Sequence, residues 1–168
     1  MLRFFESKYS YFLFQTCKAF LPDMMSENSG HIVSIASLAG LSGVNYLTDY
    51  SSSKFAAVGF EESLRLELHA EGYTGIRSTV VCPFFINTGM FDGATSGIFS
   101  MLTPEYVAGE IVSSVLVNQE VVILPKYFSL LVIFKTMIPA KMQHSMSRAF
   151  DLDSAMTGFK GRQAGLKK

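Results

Sequence analysis

Three compact apolar runs alternate with stretches whose apolar residues recur at helical spacing. Residues 31–37 (HIVSIAS) and 76–82 (IRSTVVC) are short and rich in β-branched side chains, the pattern of strands buried inside a parallel sheet. Asn28-Ser29-Gly30 precedes the first run and Pro83 closes the second, both turn signals. Residues 119–124 make a third. Helices are predicted over 9–27, 49–71 and 104–118. The first has a stripe at Phe12, Cys17, Ala19, Phe20 and Met24, and Pro22 inside it should kink or restart it. The second is the strongest, capped by Thr48 or Asp49 with Gly72 just past its end. The third enters through Thr103 as cap, with Pro104 at its first position. Loops are expected at 38–48 and 84–101, and a greasy segment with a lysine-rich tail after 124. Alternating helices and strands spell an α/β domain with right-handed crossovers. Three parallel strands leave apolar edges, so the pattern reads as part of a larger sheet.

Composition narrows the function. Apolar residues form 49% of the 168 and charged residues 17%, with mean hydropathy +0.29. Such a chain can build a core and is not intrinsically disordered. Fourteen basic residues balance fourteen acidic ones, which argues against a nucleic-acid binder driven by net charge. Two cysteines, Cys17 and Cys82, and three scattered histidines provide neither a disulfide scaffold nor a metal site. The balance hides an asymmetry: residues 1–120 hold six basic and twelve acidic side chains, residues 121–168 eight and two. That basic, greasy end either touches an anionic membrane surface or keeps a hydrophobic protein soluble. No segment reads as a signal peptide or a transmembrane helix. Arg3, Glu6 and Lys8 interrupt residues 1–14, and Pro125, Lys126, Lys135 and Pro139 interrupt 121–140.

Tyr50 and Lys54 lie one turn apart on the strongest helix, so their side chains leave the same face. An ammonium beside a phenol favours the phenolate, which suits proton exchange with an alcohol or ketone. With seven Tyr and nine Lys in 168 residues, that spacing alone decides nothing. Ser37, however, stands at the carboxyl end of the first strand, and the second ends in Cys82-Pro83-Phe84-Phe85-Ile86-Asn87-Thr88. Carboxyl ends of strands are where open α/β sheets bind ligands. Three pieces converge on one rim. His31, His69 and His144 read as a strand end, a helix surface and the tail, and no G-x-S-x-G elbow accompanies Ser37. Cys82 reads as a buried structural thiol, Ser51, Ser52 and Ser53 as packing residues, and the nine methionines as plastic packing.

HIVSIAS, YSSSK and PFFINT together resemble the short-chain dehydrogenase/reductase family. KAFLPDM, SLAGLSGVNYLTDYSSSKFAAVGFEESL and VCPFFINTGMF resemble its 16C group. The resemblance runs from about residue 16 to the C terminus. It implies a partial Rossmann-type parallel sheet, the last three of the family's seven strands flanked by helices. Residues 1–150 would be a truncated catalytic domain and 151–168 a basic tail. By resemblance Tyr50 is the catalytic acid/base, Lys54 lowers its pKa and holds the nicotinamide ribose, and Ser37 binds the substrate oxygen. Pro83, the Ile86 backbone and Thr88 fix the carboxamide of NAD or NADP. The implied reaction is hydride transfer between that cofactor and a lipophilic alcohol or carbonyl of retinoid or steroid type. The implied location is intracellular, at the endoplasmic reticulum membrane or lipid droplets.

The departures carry equal weight. No two of the thirteen glycines form a G-x-G pair, so the pyrophosphate-binding turn of the family is missing. The residue that reads the ribose is missing with it, and Tyr9 stands where the family has its helix asparagine. Phe84 takes the place of the usual glycine after the proline. Two readings follow: an oxidoreductase impaired by loss of the cofactor-binding half, or a catalytically silent member. The silent member would pair with itself or full-length relatives through its two long helices. A lipid-binding module on 121–140 is a third.

Overall fold

The computed structural model describes residues 8–160, with side chains from Tyr11 onward. Its elements are helix α1 (Lys8–Glu27), strand β1 (Gly30–Ile35), a 3-10 turn (Leu38–Gly40) and helix α2 (Thr48–Ala70). Strand β2 (Ile76–Pro83), helix α3 (Pro104–Leu116), strand β3 (Val121–Leu124) and helices α4 (Phe128–Met137) and α5 (Ala140–Ala149) follow. The three strands form one parallel sheet in the order β1-β2-β3, as the strand–helix alternation requires. Gly30 pairs with Ile76 and Ile35 with Val81 on one side of β2, and Val80 with Val121 and Pro83 with Leu124 on the other.

Side-chain alternation sorts the core into two layers. Ile76 packs with Leu64 and Leu68, and Val80 and Cys82 with Ala36 and Ala57, on the side of α1 and α2. Val81 packs with Val107, Leu102, Val122 and Leu124 on the side of α3. Val81, Cys82 and Leu124 are wholly shielded from water. Strand β1 is covered on one face only. Val33 and Ile35, on the side opposite Ser34, are exposed, and the outer edge of β1 has no neighbouring strand among the described residues.

Several boundaries differ from the sequence expectation, each for a local reason. Helix α1 runs through Pro22 without restarting, because Leu21, Met24 and Met25 on either side of it pack against Leu64, Leu68 and Ile76. Strand β1 ends at Ile35 rather than Ser37, since Ser37 turns to cap the 3-10 segment. Neither Thr48 nor Asp49 caps α2; Leu47 stands at that position with no side-chain bond, and its carbonyl accepts from Ser51 N–H at 2.7 Å. Thr103 does cap α3, accepting from Tyr106 N–H at 3.3 Å. The greasy segment after 124 folds into α4 and α5. Residues 151–160, placed by the sequence in the basic tail, close against the 91–95 loop. Thr95 N–H donates to the Ala155 carbonyl, Lys160 N–H to that of Asp92, and Ala155 and Met156 are buried.

One buried charge sits between α2 and the sheet. Glu61 is fully shielded and accepts from the Ser34 hydroxyl at 2.5 Å, while its second oxygen has no partner among the described residues. The α1 residue Cys17 senses it: burial, and then the Glu61 charge, push that thiol's pKa up. The sheet's apolar seam carries the stability. Leu124→Ala is expected to cost about 2–5 kcal/mol in urea unfolding, the range for an emptied core leucine; a loss within 0.5 kcal/mol, the size of a surface change, would show that the α3 layer is not packed as described.

Candidate active site

The rim is assembled by two strand ends and the first turns of α2. Ala36 N–H donates to the Val81 carbonyl at 2.8 Å, fixing the chain as it leaves β1. Ser37 follows in extended conformation; its Oγ accepts from Ala39 N–H at 3.1 Å and lies 3.4 Å from the Pro83 carbonyl at the end of β2. Its hydroxyl is thereby aimed along the rim. Gly40 brings the 3-10 turn down onto α2: a Cβ there would meet the Lys54 carbonyl oxygen at 2.5 Å, so only glycine allows this approach.

Lys54 reaches back to the same rim. Its Nζ donates to the Ile35 carbonyl at 2.9 Å and lies 5.6 Å from the centre of the Tyr50 ring, within cation–π range. Burial pushes the Lys54 ammonium below its ordinary pKa, with the neighbouring Cys82 thiol opposing the shift. Tyr50 is half-buried, its ring meeting that of Phe91 edge-on at 6.0 Å. The serines beside it serve the backbone: Ser51 Oγ accepts from Val44 N–H, and Ser52 and Ser53 donate to the Thr48 and Tyr50 carbonyls. His31 sits on β1, its Nε2 2.8 Å from Thr79 Oγ1 on β2, away from the rim.

All six residues singled out from sequence line one cavity of ≈ 990 Å³: Ser37, Tyr50, Lys54, Pro83, Ile86 and Thr88. Ile86 is held by a bridge to Leu102, where Leu102 N–H donates to Phe85 and Asn87 N–H to Leu102. That bridge closes the 84–101 loop at its base. The opposite wall is aromatic. Phe84 stacks on Phe128 of α4 at 4.9 Å and 27°, and Phe85 meets Phe91 edge-on at 4.9 Å. The bulky residue at 84 is thus a packing partner for α4. Sequence reasoning missed this wall and missed Lys135, which lines the cavity and donates to the Leu41 carbonyl at 2.9 Å. Its signal was present: Phe128, Leu131, Val132 and Lys135 recur at helical spacing. A hydroxyl, a phenol and an ammonium lining one largely apolar cavity are groups that can bind an alcohol or carbonyl oxygen and exchange a proton with it. Among the described residues no cluster of three or more His, Cys, Asp or Glu could hold a metal ion.

Residues 11–98 match the short chain dehydrogenase family profile. The chain belongs to that family. Epidermal retinol dehydrogenase 2 of Mus musculus is 42% identical over 87% of this chain and 48% of its own length. Estradiol 17-beta-dehydrogenase 11 of Rattus norvegicus is 39% identical over 89% of this chain and 50% of its own length. The chain therefore spans about half the length of the curated relatives it matches. Among solved structures, a short chain dehydrogenase from Burkholderia cenocepacia J2315 in complex with NADP superposes with a TM-score of 0.68. It is 21% identical and the match covers 85% of this chain and 56% of that one. Short-chain dehydrogenase from Sphingobium yanoikuyae in complex with NADPH gives 0.60 at 19% identity, over 90% and 54%. The α/β, Rossmann-type fold is shared.

The family's nicotinamide cofactor fits this site in part. The cavity lining offers an ammonium at Lys54 and a hydroxyl at Thr88 beside the Ile86 backbone, groups suited to a ribose and a carboxamide. No Gly-rich turn entering a helix is present among the described residues, so they supply no cradle for a pyrophosphate.

Cys82 lies beneath the rim and is wholly shielded from water. Burial pushes its pKa from 9.0 up to about 11, against a backbone hydrogen bond from Ser37 and the Lys54 charge, which both lower it. Between those values the unfolded chain gives up a proton that the folded chain keeps, so stability falls as pH rises. The expected slope is about 1.4 kcal/mol per pH unit. Denaturation of wild type and Cys82→Ala across that window checks it: the difference should shrink with pH at that slope, and parallel curves would show that the thiol is not sequestered.

Proposed function

We propose that this chain carries the substrate-binding and proton-transfer half of a nicotinamide-dependent oxidoreductase acting on a lipophilic alcohol or carbonyl, of retinol or steroid type. The observation that carries the proposal is that Ser37, Tyr50 and Lys54 line one large aromatic-walled cavity, with Lys54 Nζ 5.6 Å from the centre of the Tyr50 ring. Ser37 Oγ, fixed by Ala39 N–H, holds the substrate oxygen. Tyr50 gives that oxygen a proton in reduction and takes one in oxidation. Lys54, charged and partly desolvated, favours the phenolate and meets the ribose. Pro83, Ile86 and Thr88 seat the nicotinamide end of NAD or NADP, which supplies the hydride when bound. The names of the retinol and estradiol dehydrogenases support the substrate class. A location at the endoplasmic reticulum or a lipid-droplet surface goes with such a substrate.

Fluorescence titration of NADH and NADPH with the chain tests this reading. Saturable binding is expected, weakened about tenfold or more by Lys54→Ala, the loss of one charge-assisted bond. Tyr50→Phe is expected to leave binding in place and to abolish retinaldehyde reduction. No binding up to millimolar cofactor would overturn the proposal.

A second reading has its own observation. Tyr11, Phe12 and Phe20 on α1 and Phe55 and Leu66 on α2 are exposed, large apolar side chains of the kind an association surface uses. A silent chain would use it to pair with itself or with a longer relative. Co-purification with such a relative, with no cofactor binding, would favour this second reading.

A further inference from the structure

Helix α4 has two apolar faces, with Ser129 and Thr136 on one flank between them. Its inner face, with Phe128, Leu131, Val132 and Lys135, lines the cavity. Its outer face presents Leu130, Ile133, Phe134 and Met137 at three- and four-residue spacing, with Leu130 72% and Met137 78% exposed. Tyr127, at the N-cap of α4, is exposed as well. An apolar outer face on a helix already packed by its inner one is normally covered too. At ten residues, α4 is too short to cross a bilayer, and no described helix is long and apolar enough to do so.

Charge says what covers it. Exposed Lys126, which also reaches Glu110 at 2.9 Å, lies just before α4, and exposed Lys141 just after it. They belong to the stretch 121–168, which holds eight basic and two acidic residues in a chain of zero net charge. Apolar side chains framed by lysines, with an aromatic ring at one end, match the boundary of a bilayer containing anionic lipid. We infer that the outer face of α4, with Tyr127 at its start, docks the protein on an anionic lipid surface, Leu130, Ile133, Phe134 and Met137 entering the acyl boundary. Because α4 also walls the cavity, a lipophilic molecule would pass from lipid to site around one helix. That last step rests on the oxidoreductase reading; the docking does not.

The chain contains no tryptophan, so a single introduced indole reports its own surroundings. Phe134→Trp and, as control, Val112→Trp on the exposed face of α3 are mixed with phosphatidylcholine vesicles, with and without phosphatidylserine. At Phe134→Trp a blue shift and quenching by brominated lipid are expected, stronger with phosphatidylserine and weakened by salt; the control should not move. In flotation, Leu130→Asp with Phe134→Asp should release the chain from vesicles at unchanged circular dichroism. Lys126→Gln with Lys141→Gln should weaken binding about fivefold per lysine at most. An unmoved Phe134→Trp spectrum, equal shifts at both positions, or a Leu130→Asp/Phe134→Asp change in oligomeric state without a change in flotation would overturn the inference. A second copy covering α4 gives the last of these. Cofactor titration of the same samples keeps the two proposals separate, since binding of NADH is read without vesicles.

Discussion

Strand β2 hydrogen-bonds on both sides and is buried on both faces, and this double constraint sets the position of everything near the cavity. Pairing with β1 fixes where Ile35 ends, and Ala36 N–H on Val81 fixes how Ser37 leaves. Pairing with β3 fixes Pro83 opposite Leu124, from which the loop carrying Ile86 and Thr88 departs. Two carbonyls at these strand ends, Ile35 and Pro83, then meet Lys54 and Ser37. A one-residue slip of either ladder would reverse every side chain's face and dismantle the rim.

The polar rim and the apolar cavity are tuned by the same burial. Desolvation lowers the pKa of Lys54 and raises that of Cys82, which lie close enough to influence each other. Partial burial makes an ammonium a more effective electrostatic neighbour for a phenol than it would be in water. The aromatic wall opposite, anchored by the stack of Phe84 on Phe128, excludes water without offering hydrogen bonds of its own. The partial burial of Lys54 beside Tyr50 and the apolar character of the aromatic wall are therefore consequences of one packing arrangement.

Much of this was legible in the sequence because it is local. The strands announce themselves as short β-branched runs, the first preceded by Asn28-Ser29-Gly30 and the second closed by Pro83, and Tyr50 and Lys54 share a face by spacing alone. Ser37 and Thr88 follow once the strand ends are known. What escaped depends on contacts distant in sequence. Helices α4 and α5 were obscured by Pro125 and Pro139, which flank α4 rather than interrupt it. The Lys135 tether to Leu41 spans more than ninety positions, and no periodicity encodes it. Glu61, not singled out from sequence, is buried against Ser34. Leu47 in place of a polar cap shows tertiary packing overriding a local preference.

The registers Gly30↔Ile76 and Val80↔Val121 join residues more than forty positions apart, and this has a temporal side. Each ladder must close a long loop before it returns any bonding free energy, so the sheet forms late and slowly compared with the helices. During synthesis α1 and β1 emerge well before β2 exists to pair with them. In that interval the whole apolar face of β1 is open, not merely Val33 and Ile35. An unpaired, half-covered strand held open for that long is the feature of this topology most exposed to aggregation.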